Sequence, residues 1–280
     1  LQVRTDISDK EAKKSWSEIS PSAKVDWRIN DNMMVYVSYA EGFKSGGFDM
    51  RGDAIKSPNI AEGYDPETVK TWELGLKSQL LDDRLRLNVT AFDMDYSDMQ
   101  LTVQTPLPPP AIFSSDVVNA GTAKVQGAEL EATAQLTQGL STSLAIGYMN
   151  AELVEVIDGG GVDVSDTWEM LNAPNWSGQF GLNYNVEMGS AGSMVLNSSL
   201  SYRGASRNFN DVECSCDQDE SYTLWDAAAI WYSEDAHWTA GLTIKNIENK
   251  SYKTGGYNSL GELAFYGAPR TLTASLAYQF

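Results

Sequence analysis

The sequence predicts an all-β fold, a transmembrane antiparallel β-barrel, and three observations lead to that prediction. Apolar and polar residues alternate with a period of two over segments of 11 to 15 residues. The connections between these segments are alternately short and long, and aromatic residues gather near the segment ends. Barrels that cross a membrane have short turns on one side, long loops on the other, and aromatic belts at both headgroup layers.

The alternation is clearest at residues 175–187, where Trp176, Phe180 and Tyr184 share one face and Gln179 and Asn183 share the other. The same pattern predicts eleven strands, at 16–29, 33–43, 68–81, 85–98, 122–136, 140–152, 175–188, 193–204, 222–233, 236–247 and 268–280. One segment changes phase, because the apolar face moves from odd to even positions after Ala91. Either a β-bulge or emergence of the strand from the lipid would explain that change.

The connections support a membrane barrel rather than a soluble sandwich. Those at 30–32, 82–84, 137–139, 189–192 and 234–235 are short, and those at 44–67, 99–121, 153–174, 205–221 and 248–267 are long. Strands of soluble sheets usually have 3–10 residues, so the predicted strands are also long for a soluble protein. Aromatic residues lie near strand ends at Trp27, Tyr148, Trp176, Tyr184, Tyr202, Trp231, Trp238, Tyr278 and Phe280.

Composition excludes several other classes of protein. The 280 residues include 20 basic and 38 acidic side chains, a formal charge of −18, which argues against a nucleic-acid partner. The longest apolar run, 227–232, is far shorter than the roughly 20 residues of a transmembrane helix. No paired carboxylates, activated nucleophile or metal-ligand cluster stands out, so we expect no enzyme activity, no cofactor and no metal site.

Three local features have simple interpretations. Cys214 and Cys216 are expected to form a strained disulfide in an oxidising compartment, with free thiols as the alternative. A zinc site would need two further ligands, and the one histidine, His237, lies on another element. Glycines 46–47 and 159–161 are interpreted as flexible loop positions. The acidic residues Asp217, Asp219 and Glu220 are interpreted as a solvated loop, with a divalent-cation site as the alternative.

The order of strands predicts an incomplete barrel. If Phe280 ends in the periplasm, strand 16–29 descends from outside the cell, and residues 1–15 are an extracellular loop remnant. An open sheet is not stable in lipid, so further strands must come from the same protein. Eleven strands would be half of a 22-stranded barrel with a plugged lumen. Residues 1–280 are then the C-terminal part of the barrel, and the plug domain and N-terminal strands are absent from it.

Several motifs, in order, resemble TonB-dependent receptors of the iron-complex type. Two of them are Val118-Asn119-Ala120-Gly121 and Gly127-Ala128-Glu129-Leu130-Glu131. The others lie at 19–27, 35–48, 64–75, 87–92, 245–252 and 266–270, so the resemblance covers nearly the whole chain. Tyr278 and Phe280 close the last alternating strand and resemble the signal that such barrels present to the barrel-assembly machinery.

The resemblance implies an outer-membrane receptor for energised uptake of a scarce nutrient, foremost a ferric siderophore. Its implied partners are the plug and barrel half of the same protein, outer-membrane lipid and lipopolysaccharide, the inner-membrane TonB energy-coupling complex, and the barrel-assembly machinery. Uptake of a glycan or vitamin, a passive porin-like pore and a surface adhesin are the alternatives. Cations and aromatics suit anionic, aromatic chelates, and the candidates are Lys44, Phe48, Arg51, Phe113, Arg203, Arg207, Lys253 and Tyr257.

Overall fold

The computed structural model describes residues 13–49, 62–106, 113–208, 218–258 and 262–280. Its strands are β1 (Ser22–Asn30), β2 (Met33–Lys44), β3 (Glu67–Leu80), β4 (Leu85–Pro106), β5 (Phe113–Gln135), β6 (Leu140–Val156), β7 (Trp176–Glu187), β8 (Ser193–Arg203), β9 (Ser206–Arg207), β10 (Gln218–Asp219), β11 (Tyr222–Tyr232), β12 (Trp238–Lys245), β13 (Lys253–Asn258), β14 (Glu262–Tyr266) and β15 (Thr271–Tyr278). Among the described residues, no helix is long and apolar enough to cross a membrane.

Eleven of these strands form one antiparallel sheet, in the order β1-β2-β3-β4-β5-β6-β7-β8-β11-β12-β15. Within this set each strand pairs with the next one along the chain, which confirms the eleven predicted strands and their up-and-down order. The sheet is open in the described residues, because β1 and β15 each have one neighbour. The two edges therefore present unpaired backbone groups.

The structure differs from the prediction mainly in the long connections, beyond the end of the sheet from which they leave. Strands β4 and β5 have 22 and 23 residues, so most of the connection predicted at 99–121 is a continuation of their hairpin. The two later long connections contain the ribbons β9–β10 and β13–β14. The tall part of the β4–β5 hairpin keeps a period-two pattern, since Met99 and Val103 are buried and Thr102 and Gln104 are exposed. The prediction ended the strand at Asp98, where the backbone is left-handed and the pairing with β5 shifts register.

The pairing of β3 with β4 decides between the two explanations of the phase change at Ala91. Partners run from Leu80↔Leu85 to Thr68↔Ser97 without a register shift, so the strand has no bulge against β3 there. Beyond Ala91 the same face continues with Asp93 and Asp95. The polar residues replace apolar ones where the strand leaves the apolar zone, and emergence is the correct explanation.

The sheet has one apolar and one polar face. Val89 pairs with Leu76 on one side and Leu130 on the other, and Leu130 pairs with Ile146, so apolar residues form rows across strands. These side chains are at least partly exposed, and Leu74, on the same face of β3, is 57% exposed. The opposite face carries mainly serine, threonine, amide and charged residues, and the hollows of the surface lie along it. We call the apolar side the outer face and the polar side the inner face.

Aromatic rings close both ends of the outer apolar zone. On β7, Trp176 and Tyr184 are eight positions apart, which is about 26 Å of strand and, after tilt, fits an apolar band of about 25 Å or slightly less. At the Trp176 end, the indole packs on Tyr148, with ring centroids 4.8 Å apart. At the Tyr184 end, Tyr278 packs on Trp238 at 4.7 Å. The rings thus occupy the positions expected for the two aromatic belts of a membrane barrel.

A row of alternating charges crosses the outer face beyond the apolar zone. Cross-strand partners join Glu41 to Lys70, Lys70 to Asp95, Asp95 to Lys124 and Lys124 to Glu152. We call these five residues the charge ladder. Opposite charges placed directly across neighbouring strands contribute roughly 0.2–1 kcal/mol per pair. The ladder therefore favours the observed register where β2–β6 leave the apolar zone.

Tyr36 lies flat on Gly75, its partner across the inner face, and this contact predicts a large difference between two glycines. A Cβ on Gly75 would come 2.2 Å from Cε1 of Tyr36, a residue that is 8% exposed. We expect Gly75→Ala to destabilise the protein by about 1–3 kcal/mol, because the ring must move. Gly178→Ala is the control, since its Cβ would meet only the Ala145 carbonyl, at 3.5 Å. Thermal unfolding of the full receptor in detergent measures the effect, and equal melting temperatures for the two variants would contradict this account.

Candidate ligand site at the loop end

The long connections leave the sheet at one end, which we call the loop end, and the short turns lie at the other, the turn end. At the loop end the inner face carries Arg203, which is the cross-strand partner of Tyr222. The Tyr222 ring packs on Tyr252, with centroids 4.5 Å apart. Lys253 follows Tyr252 and begins β13. We call these four residues the loop-end cluster.

The predicted candidates Arg203 and Lys253 thus belong to one region, and Arg207 lies beside it on β9. Arg203 donates from Nη2 to the Ser206 hydroxyl at 3.4 Å and to the Asn172 carbonyl at 3.4 Å. Arg207 forms an ion pair with Glu169, with Nε 2.9 Å from Oε1. Arg207 therefore has a structural contact already, and Arg203 is the better placed of the two arginines for a ligand.

Asp219 corrects the interpretation of the acidic run as a solvated loop. The residue is only 5% exposed, because β10 pairs with β9 and sets Asp219 opposite Ser206. Glu220 is exposed, as predicted, and Asp217 lies outside the described residues. One oxygen of Asp219, Oδ1, has no hydrogen-bond partner in the structure. Sequence alone could not separate these two acidic neighbours, since the short ribbon that buries one of them has no apolar face.

Lys44 and Phe48 form a separate group, at the loop end of β2. The Lys44 side chain is exposed, and its carbonyl accepts a hydrogen bond from the Gln100 amide at 3.3 Å. The Phe48 ring lies 5.9 Å from Trp16. The glycines between them are closely packed rather than flexible, which corrects the prediction, because a Cβ on Gly46 would lie 2.3 Å from the Tyr64 carbonyl.

The remaining candidates are placed only in part. Arg51, Cys214 and Cys216 lie outside the described residues, so the proposed disulfide stays a prediction. Phe113 begins β5 and Tyr257 lies in β13, both at the loop end. The structure brings Arg203, Arg207 and Lys253 to one region and leaves Lys44 and Phe48 apart from it, at the loop end of β2.

Asn119 fastens the first long connection to the tall hairpin, and sequence reasoning did not single it out. Its Oδ1 accepts the Asp65 N–H at 2.7 Å, and its Nδ2 donates to the carbonyls of Asp65 and Asp98 at 2.9 and 2.8 Å. The residue lies within the quoted motif 118–121. The structure thus gives that motif a physical role, because one side chain holds two segments at the loop end.

Asn246 likewise holds the base of the last long connection through side-chain hydrogen bonds. Its Nδ2 donates to the carbonyls of Lys250 and Ala268 at 2.9 and 3.1 Å, and its Oδ1 accepts the Lys250 N–H at 2.8 Å. The residue is 4% exposed and has φ 52°, a left-handed conformation in which asparagine is enriched. It positions the connection from which Tyr252 and Lys253 of the loop-end cluster arise.

Asp65 makes the contact between the segment before β1 and the first long connection sensitive to acid. Two hydrogen bonds lower the pKa of the Asp65 carboxyl. The larger effect comes from the Lys14 ammonium and the smaller one from the Trp16 indole. A lowered pKa means that the contact is fully present above the pKa of an unfolded aspartate, about 3.9, and is lost as the pH falls through the folded value. We expect the protection of the Trp16 indole N–H, which donates to Asp65, against hydrogen exchange to stay constant from pH 7 to about 4.5 and to fall below that range. Asp65→Asn should remove the pH dependence, and an unchanged acid response in that variant would refute the assignment.

Charge is unevenly distributed over the inner face. Towards the turn end, Arg28, Lys77 and Arg86 line one hollow, which we call the basic hollow. Glu129 and Glu131 line another, in the half of β5 nearer the turn end. The inner positions of β6 from Ser141 to Gly147, of β7 from Ser177 to Asn185 and of β8 from Ser193 to Ser201 carry hydroxyl, amide and small side chains, apart from Val195. The described residues contain no group of three His, Cys, Asp or Glu side chains arranged to hold a metal ion.

Comparison with known proteins identifies the relatives of this chain. A family model described as "TonB dependent receptor-like, beta-barrel" matches residues 1–247. The metal-pseudopaline receptor CntO of Pseudomonas aeruginosa is 26% identical over 262 residues, which are 93% of this chain and 33% of the relative. The ferrioxamine receptor of Yersinia enterocolitica is 22% identical over 266 residues, 93% of this chain and 33% of the relative. The chain therefore spans about a third of the length of these relatives.

Two solved structures share the fold. The ferric yersiniabactin uptake receptor FyuA from Yersinia pestis has a TM-score of 0.74 at 19% identity, over 92% of this chain and 37% of that one. The siderophore receptor PiuA from Acinetobacter baumannii has a TM-score of 0.68 at 22% identity, over 92% and 35%. At these identities the likeness establishes the fold alone. It confirms the antiparallel β-barrel fold, and the family model assigns the chain to an outer-membrane barrel.

Proposed function

We propose that this chain, which belongs to the TonB-dependent receptor-like β-barrel family, forms part of an outer-membrane receptor that imports a ferric siderophore. The loop-end cluster is the observation that carries the proposal. Arg203 and Lys253 supply positive charge and Tyr222 and Tyr252 supply stacked rings. Cations beside aromatic faces suit an anionic chelate that itself contains aromatic groups. The relatives named as receptors for metal chelates support the same ligand class.

The described sheet needs further strands at its two open edges, and these are expected in the rest of the receptor. We infer that further strands of the same protein pair with the open edges of β1 and β15, completing a barrel of about 22 strands around a plug domain. Coupling to the inner-membrane TonB complex would provide the energy for uptake. In this arrangement the chain contributes binding surface and lumen wall, and the family is one of receptors and transporters rather than enzymes.

Arg203→Gln tests the binding site in the full receptor. Removing a charged hydrogen-bonding group costs about 1.5–3 kcal/mol, so we expect the Kd for the ferric siderophore to rise by roughly 10- to 100-fold. Equilibrium binding to the purified receptor measures the change. Lys70→Gln is the matched control, because it removes one cation from the outer face. Equal affinity in both variants would exclude Arg203 from the site.

Uptake of labelled ferric siderophore tests the function itself. A strain that lacks the receptor should lose uptake under iron limitation and regain it when the full gene is restored. Unchanged uptake after deletion would contradict the proposal. A growth defect on a glycan or a vitamin, with normal iron uptake, would assign the receptor to that nutrient instead.

A further inference from the structure

We propose that the basic hollow holds an extended acidic segment of the receptor's own polypeptide inside the lumen. This inference rests on the proposed function, in which the barrel encloses a further part of the protein. Arg28, Lys77 and Arg86 are exposed on the inner face of β1, β3 and β4. Among the described residues, none of the three forms an ion pair, and Asp31 is the one carboxylate that lines the hollow.

The spacing of the cations favours an extended chain over a single small anion. Arg28 pairs with Met34, which pairs with Lys77, so two inter-strand spacings, about 10 Å, separate the two backbones. The Lys77 ammonium lies over the Tyr36 ring, 5.6 Å from its centroid, and Tyr36 lies nearer the loop end. The Lys77 ammonium is therefore drawn away from the Arg86 guanidinium. Carboxylates spaced along a strand can reach all three positions in turn.

The neutral side chains of the hollow suit the backbone of such a segment. Asn32, Gln79 and Asn88 line it, and each amide offers both donors and an acceptor. An extended peptide presents N–H and C=O groups at regular intervals and is recognised through them when side-chain charges set the register. The hollow thus combines charge for acidic side chains with amides for main-chain groups.

The charge of the basic hollow is opposite in sign to the net charge of the chain. The formal charge is −18, yet three cations gather in this hollow, while the inner positions of strands β6–β8 are nearly uncharged. Exposed cations that line one hollow attract a segment of opposite charge. The curated relatives are about three times as long as the segment they share with this chain, so such receptors contain ample polypeptide to provide it.

Site-specific photo-crosslinking in the full receptor tests the inference without any siderophore. A photoreactive phenylalanine at position 79 lies within the hollow, and one at position 141 is the control. Ser141 is the second residue of β6 after a short turn, as Arg86 is of β4, but it lies in the uncharged region. We expect position 79 to crosslink to a peptide of the same protein that contains at least two acidic residues, and position 141 to a different peptide.

Charge reversal completes the experiment. Arg28→Glu combined with Arg86→Glu should lower the yield at position 79 by about fivefold or more, because like charges repel the segment. Lys70→Glu, on the outer face, should leave the yield unchanged. A crosslink to a peptide without acidic residues, no crosslink within the receptor, or an unchanged yield in the double variant would overturn the inference. A position-79 crosslink to an acidic peptide, in a receptor whose deletion leaves siderophore uptake unaffected, would support the inference and count against the proposed function.

Discussion

Replacement of Asn246 by alanine is expected to destabilise the last long connection by about 3–5 kcal/mol. The substitution removes three side-chain hydrogen bonds, each worth roughly 0.5–1.5 kcal/mol, from a residue that is 4% exposed. It also leaves an alanine at φ 52°, where asparagine is tolerated better. Amide hydrogen exchange at residues 247–252 and at Ala268 and Arg270 should accelerate by about two orders of magnitude or more, since about 1.4 kcal/mol corresponds to tenfold.

Asn249→Ala is the matched control for that experiment. Asn249 also has a left-handed backbone, with φ 54°, but its side chain accepts a single hydrogen bond, from the Arg270 N–H at 2.9 Å. We expect the control to change exchange by about tenfold, a smaller effect, because one such bond is lost. Equal exchange rates in the two variants would show that the hydrogen bonds of Asn246 do not hold the connection.

The chain expressed alone is expected not to form a heat-resistant barrel in detergent. Strands β1 and β15 are open edges, and each unpaired backbone group costs several kcal/mol in an apolar environment. The protein should therefore migrate on a gel identically before and after boiling. A monomeric, heat-modifiable band would refute this expectation. Coexpression of the remaining part of the receptor is the control, and it should restore the compact band.

Sequence alternation predicted the sheet well because lipid and lumen impose opposite chemistry on successive residues. Residues 175–187, for example, assign Trp176 and Phe180 to lipid and Gln179 and Asn183 to the lumen without any tertiary information. The tall part of the β4–β5 hairpin escaped prediction, because the alternation is interrupted near Asp98, where the backbone is left-handed and the register with β5 shifts. Beyond that interruption Met99 and Val103 are buried and Thr102 and Gln104 exposed, and the backbone pairing continues as far as Pro106 and Phe113.

The candidate site was predictable in residue type but less so in arrangement. Cations and aromatics near strand ends pointed to Arg203 and Lys253, whereas Tyr222 and Tyr252 were missed, since their contact joins residues far apart in the sequence. Asn119 and Asn246 were present in the quoted motifs, but their hydrogen bonds depend on turns that sequence does not specify. The interpretation of Asp219 was wrong because its burial depends on a two-residue ribbon.

The tall β4–β5 hairpin has a consequence for how the receptor can diverge. From Met99 to Pro106 it continues for about 25 Å of strand beyond the register shift that follows Tyr96, at roughly 3.3 Å per residue. Main-chain pairing holds most of that height, and such pairing is indifferent to side-chain identity. Exposed positions of this hairpin, such as Thr102 and Gln104, can therefore accumulate substitutions at little cost to the barrel, whereas Met99 and Val103, which are 7% and 3% exposed, are constrained by packing. The hairpin thus combines sequence drift on its exposed positions with a constant backbone.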